Sequence, residues 1–346
     1  GQHFLVDLNI ARKICDALSG GVRPEAGAET RAVAAGSADA DAETRTRVAG
    51  YAGAGAEART MAAGSADAGA EARTKATGTA DADAETRRGV AASADARLAA
   101  DTTAAGAPAA AEEERSGAVP CDVLEVGCGM GVLTQFLLRR GDITTYGAEI
   151  DPESVEYLHA HFPEFAPRLI EGDFLKMNLR ERFPRGLKII GNFPYNISSQ
   201  IFFKVLEHRD LVPECVGMIQ KEVAVRIAEP PGSKEYGILS VLLQAWYDIE
   251  YLFTVNETVF NPPPKVKSAV IRLRRNSVGR LGCDEALFVK VVKASFGQRR
   301  KMIRNSLRAV FGDFGGAEHP FFTQRAEQLS VADFVQLTDW VAANRK

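Results

Sequence analysis

The sequence predicts an α/β fold: a parallel sheet covered by helices on both faces, then a small C-terminal helical domain, with a low-complexity insert near the start. Three observations carry this. From residue 119 onward short apolar runs alternate with helical patterns, and after Leu281 the pattern is helical throughout. Residues 23–118, by contrast, hold 36 Ala in 96 positions and only six bulky apolar side chains (Val33, Val48, Tyr51, Met61, Val90 and Leu98). So little apolar surface cannot offset the entropy of ordering that stretch. The fold is therefore encoded in residues 1–22 and 119–346.

Within the insert, Ala-Glu-Thr/Ala-Arg begins at Ala28, Ala42, Ala56, Ala70 and Ala84, a period of 14 residues. Two heptads also make 14, but a coiled coil needs about four bulky apolar positions per such period, and these units offer one or none. Disorder or fraying helix is expected there. Beyond the insert, strands are expected at residues 122–126, 144–150, 168–171, 187–191, 215–220, 249–254 and 268–274. Helices are expected at 131–140, 152–161 and 198–208.

Charge divides along the same boundary. The insert has 11 Lys+Arg against 16 Asp+Glu, whereas residues 265–308 carry 13 basic side chains against Asp284 and Glu285 alone. Such a concentration suits a polyanionic partner. The five cysteines (Cys15, Cys121, Cys128, Cys215 and Cys283) form no metal-ligand spacing, and a reduced, cytoplasmic protein is the expectation. The start at Gly1 shows no charged lead before an apolar run, and no stretch approaches 18 apolar residues, so neither secretion nor membrane insertion is expected. No metal is expected either, since His159 and His161, two apart on a helix, point to different faces.

The chemistry concentrates at strand ends. Val123-Leu-Glu-Val-Gly127-Cys-Gly129-Met-Gly131 is an apolar strand running into a Gly-rich turn, where a ligand can approach the backbone closely. Glu149 closes the next strand, placed to accept hydrogen bonds from both ribose hydroxyls of an adenosine-containing cofactor. A dinucleotide fits these features equally well. Asp173 follows the third strand, either as acceptor for an adenine amine or as a helix cap, with Phe174 beside it to pack on the base. Asn192-Phe193-Pro194-Tyr195 is more specific. An aryl amine is a weak nucleophile because its lone pair is delocalised. An Asn amide oxygen and a backbone oxygen at Pro194 can accept its two N–H bonds, while Tyr195 offers a face for stacking.

In order along the chain, Gly1-Gln-His-Phe-Leu5, the glycine turn at 127–131, Glu149, Asp173, Asn192-Phe-Pro-Tyr195, Gln220-Lys-Glu222, Phe260-Asn-Pro-Pro-Pro-Lys-Val-Lys-Ser268 and Phe296-Gly-Gln-Arg-Arg-Lys301 resemble the ribosomal RNA adenine N6,N6-dimethyltransferases, in particular their bacterial small-subunit branch. The resemblance spans essentially everything outside the insert. It implies a Rossmann-like seven-strand S-adenosylmethionine methyltransferase sheet over residues 119–275, a cofactor-capping arm at 1–22 and a helical RNA-docking domain at 276–346. It assigns cofactor contacts to His3, Leu5, Gly127, Glu149, Asp173 and Asn192. The target adenine is assigned to Asn192, the Pro194 carbonyl and Tyr195, with Phe260 as a second aromatic wall. Phosphate contacts fall to Lys265 and Lys267, and to Arg299, Arg300, Lys301 and Arg304 on a helix.

The resemblance further implies a monomer acting on small-subunit ribosomal RNA within a pre-ribosomal particle. His3 stands where many members have Asn, and Phe193 where most have Leu. Three alternatives share parts of the pattern: a large-subunit adenine methyltransferase, a non-catalytic nucleic-acid-binding assembly factor, and an NAD-dependent oxidoreductase. The insert precedes the first strand and so enters the sheet at the edge opposite to where cofactors bind. Deleting residues 24–117 and bridging the ends is expected to leave S-adenosylmethionine affinity unchanged in a titration. A tenfold loss would contradict this placement.

Overall fold

A computed structural model describes residues 3–20 and 120–345; the 14-residue repeats lie outside the described residues. Strand β1 (Phe4–Leu5) leads into helix α1 (Leu8–Ala17). The Asp7 carboxylate caps α1 by accepting from the backbone N–H groups of Asn9 and Ile10 at 2.8 and 3.1 Å. After residue 120 come β2 (Cys121–Val126), β3 (Ile143–Glu149), β4 (Leu169–Glu171), β5 (Lys188–Asn192), β6 (Glu214–Gln220) and β7 (Tyr247–Val255). Strand β8 (Phe260–Asn261) leaves the sheet to pair antiparallel with β1, and β9 (Ser268–Arg275) returns to it.

The resulting sheet has seven strands in the order β4-β3-β2-β5-β6-β9-β7, in which β9 alone runs against its neighbours. All seven expected strands form, their ends displaced by at most two residues. Every residue of β2 is buried, as befits a parallel strand covered on both faces.

The helices of this region are α2 (Thr134–Leu137), α3 (Pro152–His161), α4 (Leu179–Arg182), α5 (Ser198–Glu207), α6 (Lys221–Ala228) and α7 (Ile238–Gln244). The helix expected at 131–140 shrinks to α2. Gly131 has φ +76°, in the left-handed region, so regular helix cannot begin there. Helices α8 (Glu285–Gly297), α9 (Ile303–Phe311) and α10 (Val331–Asn344) complete the chain. They share the core of the sheet: one buried cluster runs from Leu124 through Phe202 and Leu242 to Val291, Leu307 and Val341. The opposite face of the sheet packs on α1 through Leu5, Ile14, Val123, Leu137 and Met218. None of the described helices is long and apolar enough to cross a membrane.

The N-terminal arm is fixed at both ends. At one end β1 pairs with β8, Leu5 opposite Phe260. At the other, Lys188 Nζ donates to the Ser19 carbonyl (2.9 Å), the Ser19 hydroxyl (2.7 Å) and the Gly20 carbonyl (3.2 Å), and pairs with Glu214 at 3.1 Å. Burial opposes ionisation of Glu214, but hydrogen bonds from Ser19 and Lys188 prevail and hold its carboxyl below the usual range. Arg140 adds bonds to the carbonyls of Cys15 and Leu18, each 3.0 Å. The chain therefore passes into residues 21–119 at the N-terminal edge of the sheet, where β5 starts at Lys188 and β2 starts at Cys121.

Candidate active site

Strands β2 and β5 are neighbours, yet β2 leads outward to β3 on one side and β5 to β6 on the other. At such a reversal the loops leaving the carboxyl ends diverge and open a crevice. The cavity there measures about 790 Å³ and is lined by His3, Leu5, Gly127, Glu149, Asp173, Asn192, Pro194 and Tyr195, among others. It therefore gathers every residue assigned to the cofactor and, apart from Phe260, every residue assigned to the adenine.

The glycine turn at the end of β2 is shaped by Gly127 and Gly129, with φ of +76° and +52°. Its backbone is locked to β3 by Glu149. Glu149 Oε2 accepts from Gly129 N at 2.8 Å, and Oε1 accepts from Ile150 N and Asp151 N at 2.8 and 2.9 Å. The carboxylate is thus held in one orientation, with one acceptor site left on Oε2 for a ribose hydroxyl. Of the two roles expected for Asp173, the cap is formed, and the residue also stands where it could meet a ligand. Its Oδ1 accepts from Leu175 N at 2.9 Å, capping a short 3-10 turn, while the residue also lines the cavity.

That turn is tied to α5 by Lys204, whose Nζ donates to the carbonyls of Leu175 (2.9 Å) and Met177 (2.6 Å). Burial lowers the Lys204 pKa. Lys204 links the Asp173 loop to the helix that follows residues 192–195, a role invisible in the sequence because nothing local marks it.

Residues 192–195 leave β5 as a tight turn. Phe193 N donates to the Met218 carbonyl at 3.0 Å, and Ile197 N to the Pro194 carbonyl at 3.1 Å, so one lone pair of the expected Pro194 acceptor is already engaged. Asn192 Nδ2 donates to the His3 carbonyl at 3.5 Å, so its amide oxygen is left as an acceptor. The bulk of Phe193 fits because β6 carries a glycine opposite it. A Cβ on Gly217 would lie 2.5 Å from the Phe193 ring. Tyr195 is half-buried, its hydroxyl 2.6 Å from Ser268 Oγ and its ring 5.9 Å from that of His3.

A profile of the family described as ribosomal RNA adenine dimethylase matches residues 120–343. The chain belongs to that family. Among curated relatives, the Parabacteroides distasonis protein named ribosomal RNA small subunit methyltransferase A is 61% identical over 218 residues, 62% of this chain and 81% of its own. The protein of that name from Bacteroides thetaiotaomicron is 59% identical over 221 residues, 63% of this chain and 82% of its own. Among solved structures, a dimethyladenosine transferase from Plasmodium falciparum superposes with a TM-score of 0.55 at 25% identity, covering 64% of this chain and 90% of its own.

The family methylates adenines of ribosomal RNA with S-adenosylmethionine, and the cavity suits that group. It offers a Gly-rich turn whose backbone a ligand can approach, an oriented carboxylate at the rim, and a second carboxyl, Glu125, deep inside. Glu125 was not singled out by sequence reasoning, although it is the one acidic residue within the apolar run at 123–127. Only 1% exposed, it is pushed up to about 8 by burial, against the opposing hydrogen bond from Thr134 Oγ1 at 2.6 Å, and the charge of Glu149 raises it further. The same burial, with Glu125 and Glu149 adding to it, keeps the Cys128 thiol neutral.

Two expectations are corrected. Phe260 is 3% exposed and packs beside Leu5 in the core cluster on the α1 side of the sheet, not on the cavity wall. Its place in the short β1–β8 ladder turns the ring inward. Of the basic residues expected on a helix only Arg304, in α9, lies on one: α8 ends at Gly297, and Arg299, Arg300 and Lys301 fall in the irregular stretch before α9. Arg299 Nη2 folds back onto the Lys234 carbonyl and, at 3.0 Å, the Tyr236 carbonyl. Arg304, on α9, pairs with Glu318. Arg300, Lys301, Lys265 and Lys267 stand exposed. His159 pairs with Glu171 at 2.9 Å.

Because native Glu125 keeps its proton to a higher pH than the unfolded chain does, the native state binds more protons between about pH 4.5 and 8 and loses stability as pH rises through that range. In cofactor-free protein, chemical denaturation should show Glu125→Gln gaining on wild type by at least about 1.4 kcal/mol from pH 5 to pH 8, the equivalent of one pKa unit. A stability difference independent of pH would contradict a neutral buried carboxyl.

Proposed function

We propose that this chain dimethylates the N6 amines of two adjacent adenines near the 3′ end of small-subunit ribosomal RNA, working as a monomer on a pre-ribosomal particle in the cytoplasm. The reading rests most directly on the placement of Asn192, which lines the cavity with the half-buried Tyr195 and whose Nδ2 donates to the His3 carbonyl at 3.5 Å, leaving its amide oxygen as an acceptor. An adenine stacked on Tyr195 would present its amine to that oxygen and to the remaining lone pair of the Pro194 carbonyl.

S-adenosylmethionine supplies an electrophilic methyl group. The protein's part is to hold the amine in line with it at about 3–3.5 Å and to exclude water. Accepting both N–H bonds keeps the amine lone pair aimed into the cavity, a requirement that an oxidoreductase site would not impose. Taking an adenine out of folded RNA costs a few kcal/mol, of which stacking on Tyr195 returns about 1–3 kcal/mol. Exposed Lys265 and Lys267 flank the turn after β8, and Arg300 and Lys301 extend the basic surface for phosphates. Such contacts position the RNA without reading its sequence. Choice of adenine therefore falls to the presented RNA structure. Names of the relatives support the small subunit as the substrate.

Tritiated methyl transfer to undermethylated small subunits, with naked large-subunit RNA as the comparison, tests the proposal. Label should enter adenines of the former. Asn192→Ala should abolish transfer while cofactor affinity stays within about tenfold, a loss of under about 1.4 kcal/mol. Wild-type turnover by that variant would remove the amine-orienting role.

A further inference from the structure

We propose that Ser268 is a positioning residue: its hydroxyl fixes the plane of the Tyr195 ring, so that the Pro-rich turn serves the target base through Tyr195. The inference rests on the stacking role given to Tyr195 above. It replaces the part expected of Phe260, which the fold buries elsewhere.

Three observations carry it. First, the 2.6 Å hydrogen bond between Ser268 Oγ and the Tyr195 hydroxyl joins a fully buried residue to a half-buried one across 73 positions of sequence. Second, Ser268 is held on both sides within the sheet. It is paired with Gln220 in β6 and with Val255 in β7, and the adjoining Lys267 carbonyl accepts from Lys221 N at 2.9 Å. Tyr195, by contrast, sits on a turn, where a ring can swing about two side-chain torsions unless its tip is tethered. Third, the other end of the same Pro-rich turn reaches Tyr195 indirectly. The Pro262 carbonyl lies 2.8 Å from His3 Nδ1, and the His3 ring is tilted 32° to the Tyr195 ring at 5.9 Å. The ring is thus bracketed at its tip by Ser268 and beside its face by His3, both governed by residues 262–268.

The bond also bears on chemistry. A phenol already sharing a proton with Ser268, and raised in pKa chiefly by burial, stays neutral at pH 7. Its hydroxyl serves as a tether and leaves the base to the ring face. A stacked base fixed in the wrong plane loses the in-line approach, and small angular errors of this kind cost rate more than binding.

The test is a double-mutant cycle in the full chain, measured with undermethylated small subunits. Ser268→Ala and Tyr195→Phe each remove the bond while keeping the aromatic face. Each should lower kcat by about tenfold with cofactor affinity within about twofold, and the double variant should be no slower than either single. Wild-type kcat in Ser268→Ala, or losses that multiply in the double variant, would overturn the proposal. Should Ser268→Ala fail to fold, Tyr195→Phe decides alone, and an undiminished kcat in it is the contrary result. Tyr195→Ala separates the two levels. If it turns over normally, the stacking role itself is lost. If it is inactive while Ser268→Ala is unimpaired, stacking stands and the tether does not.

Discussion

The constraint on which the rest depends is the parallel pairing of β2 with β5, Val123 against Lys188 through Glu125 against Ile190, at the point where the sheet reverses its winding. That pairing sets the glycine turn and residues 192–195 side by side. One strand end carries backbone shaped for a nucleoside cofactor; the other carries the amide and the ring proposed to receive a base. Neither half can shift along its strand without moving a register shared with β3 or β6, so donor and acceptor sites are held at a separation fixed by the sheet. Catalysis by positioning requires such rigidity, because a misplacement of about 1 Å can cost about a hundredfold in rate.

The remaining elements reinforce this pairing from outside. The arm at residues 3–20 runs along one face of the sheet, clipped to β8 beside the cavity and to Lys188, Glu214 and Arg140 at the far end. His3 and Leu5 therefore reach the cavity from an element anchored at two points. Lys204 likewise binds the Asp173 turn to the helix after Tyr195. The C-terminal region packs Phe314, Phe322 and Trp340 against one another and joins the buried cluster of the sheet, which ties the basic turn at 298–302 to the domain that holds the cavity. Arg299 is part of that placement, since its guanidinium is used on the carbonyls of Lys234 and Tyr236.

Much of this was legible in the sequence, for identifiable reasons. Sheet strands buried on both faces announce themselves as short apolar runs, and all seven did, although the direction of β9, antiparallel to β6 and β7, was not marked. Residues whose chemistry acts through backbone turns, such as Gly127 and Asn192, were marked by local spacing, and the cavity gathers them. What escaped were features that depend on partners distant in sequence. Phe260 has the composition of a cavity wall, but pairing of β8 with β1 buries it. Residues 298–301 continue a helical periodicity, yet the bridge between Met302 and Arg325 and the pull of Arg299 on the 234–236 loop break the helix there. Lys204 has no local signal at all, Ser268 is marked only as the end of the Pro-rich motif and not by its contact with Tyr195, and Glu125 was hidden by lying inside an otherwise apolar strand.

A crystal structure with S-adenosylhomocysteine and an adenosine-bearing RNA fragment tests the central claim most directly. The account predicts the adenine ring stacked on Tyr195, with its N6 within hydrogen-bond distance of Asn192 Oδ1 and the Pro194 carbonyl, and the ribose of the cofactor on Glu149. An adenine bound elsewhere, or an N6 amine turned away from Asn192, would contradict it.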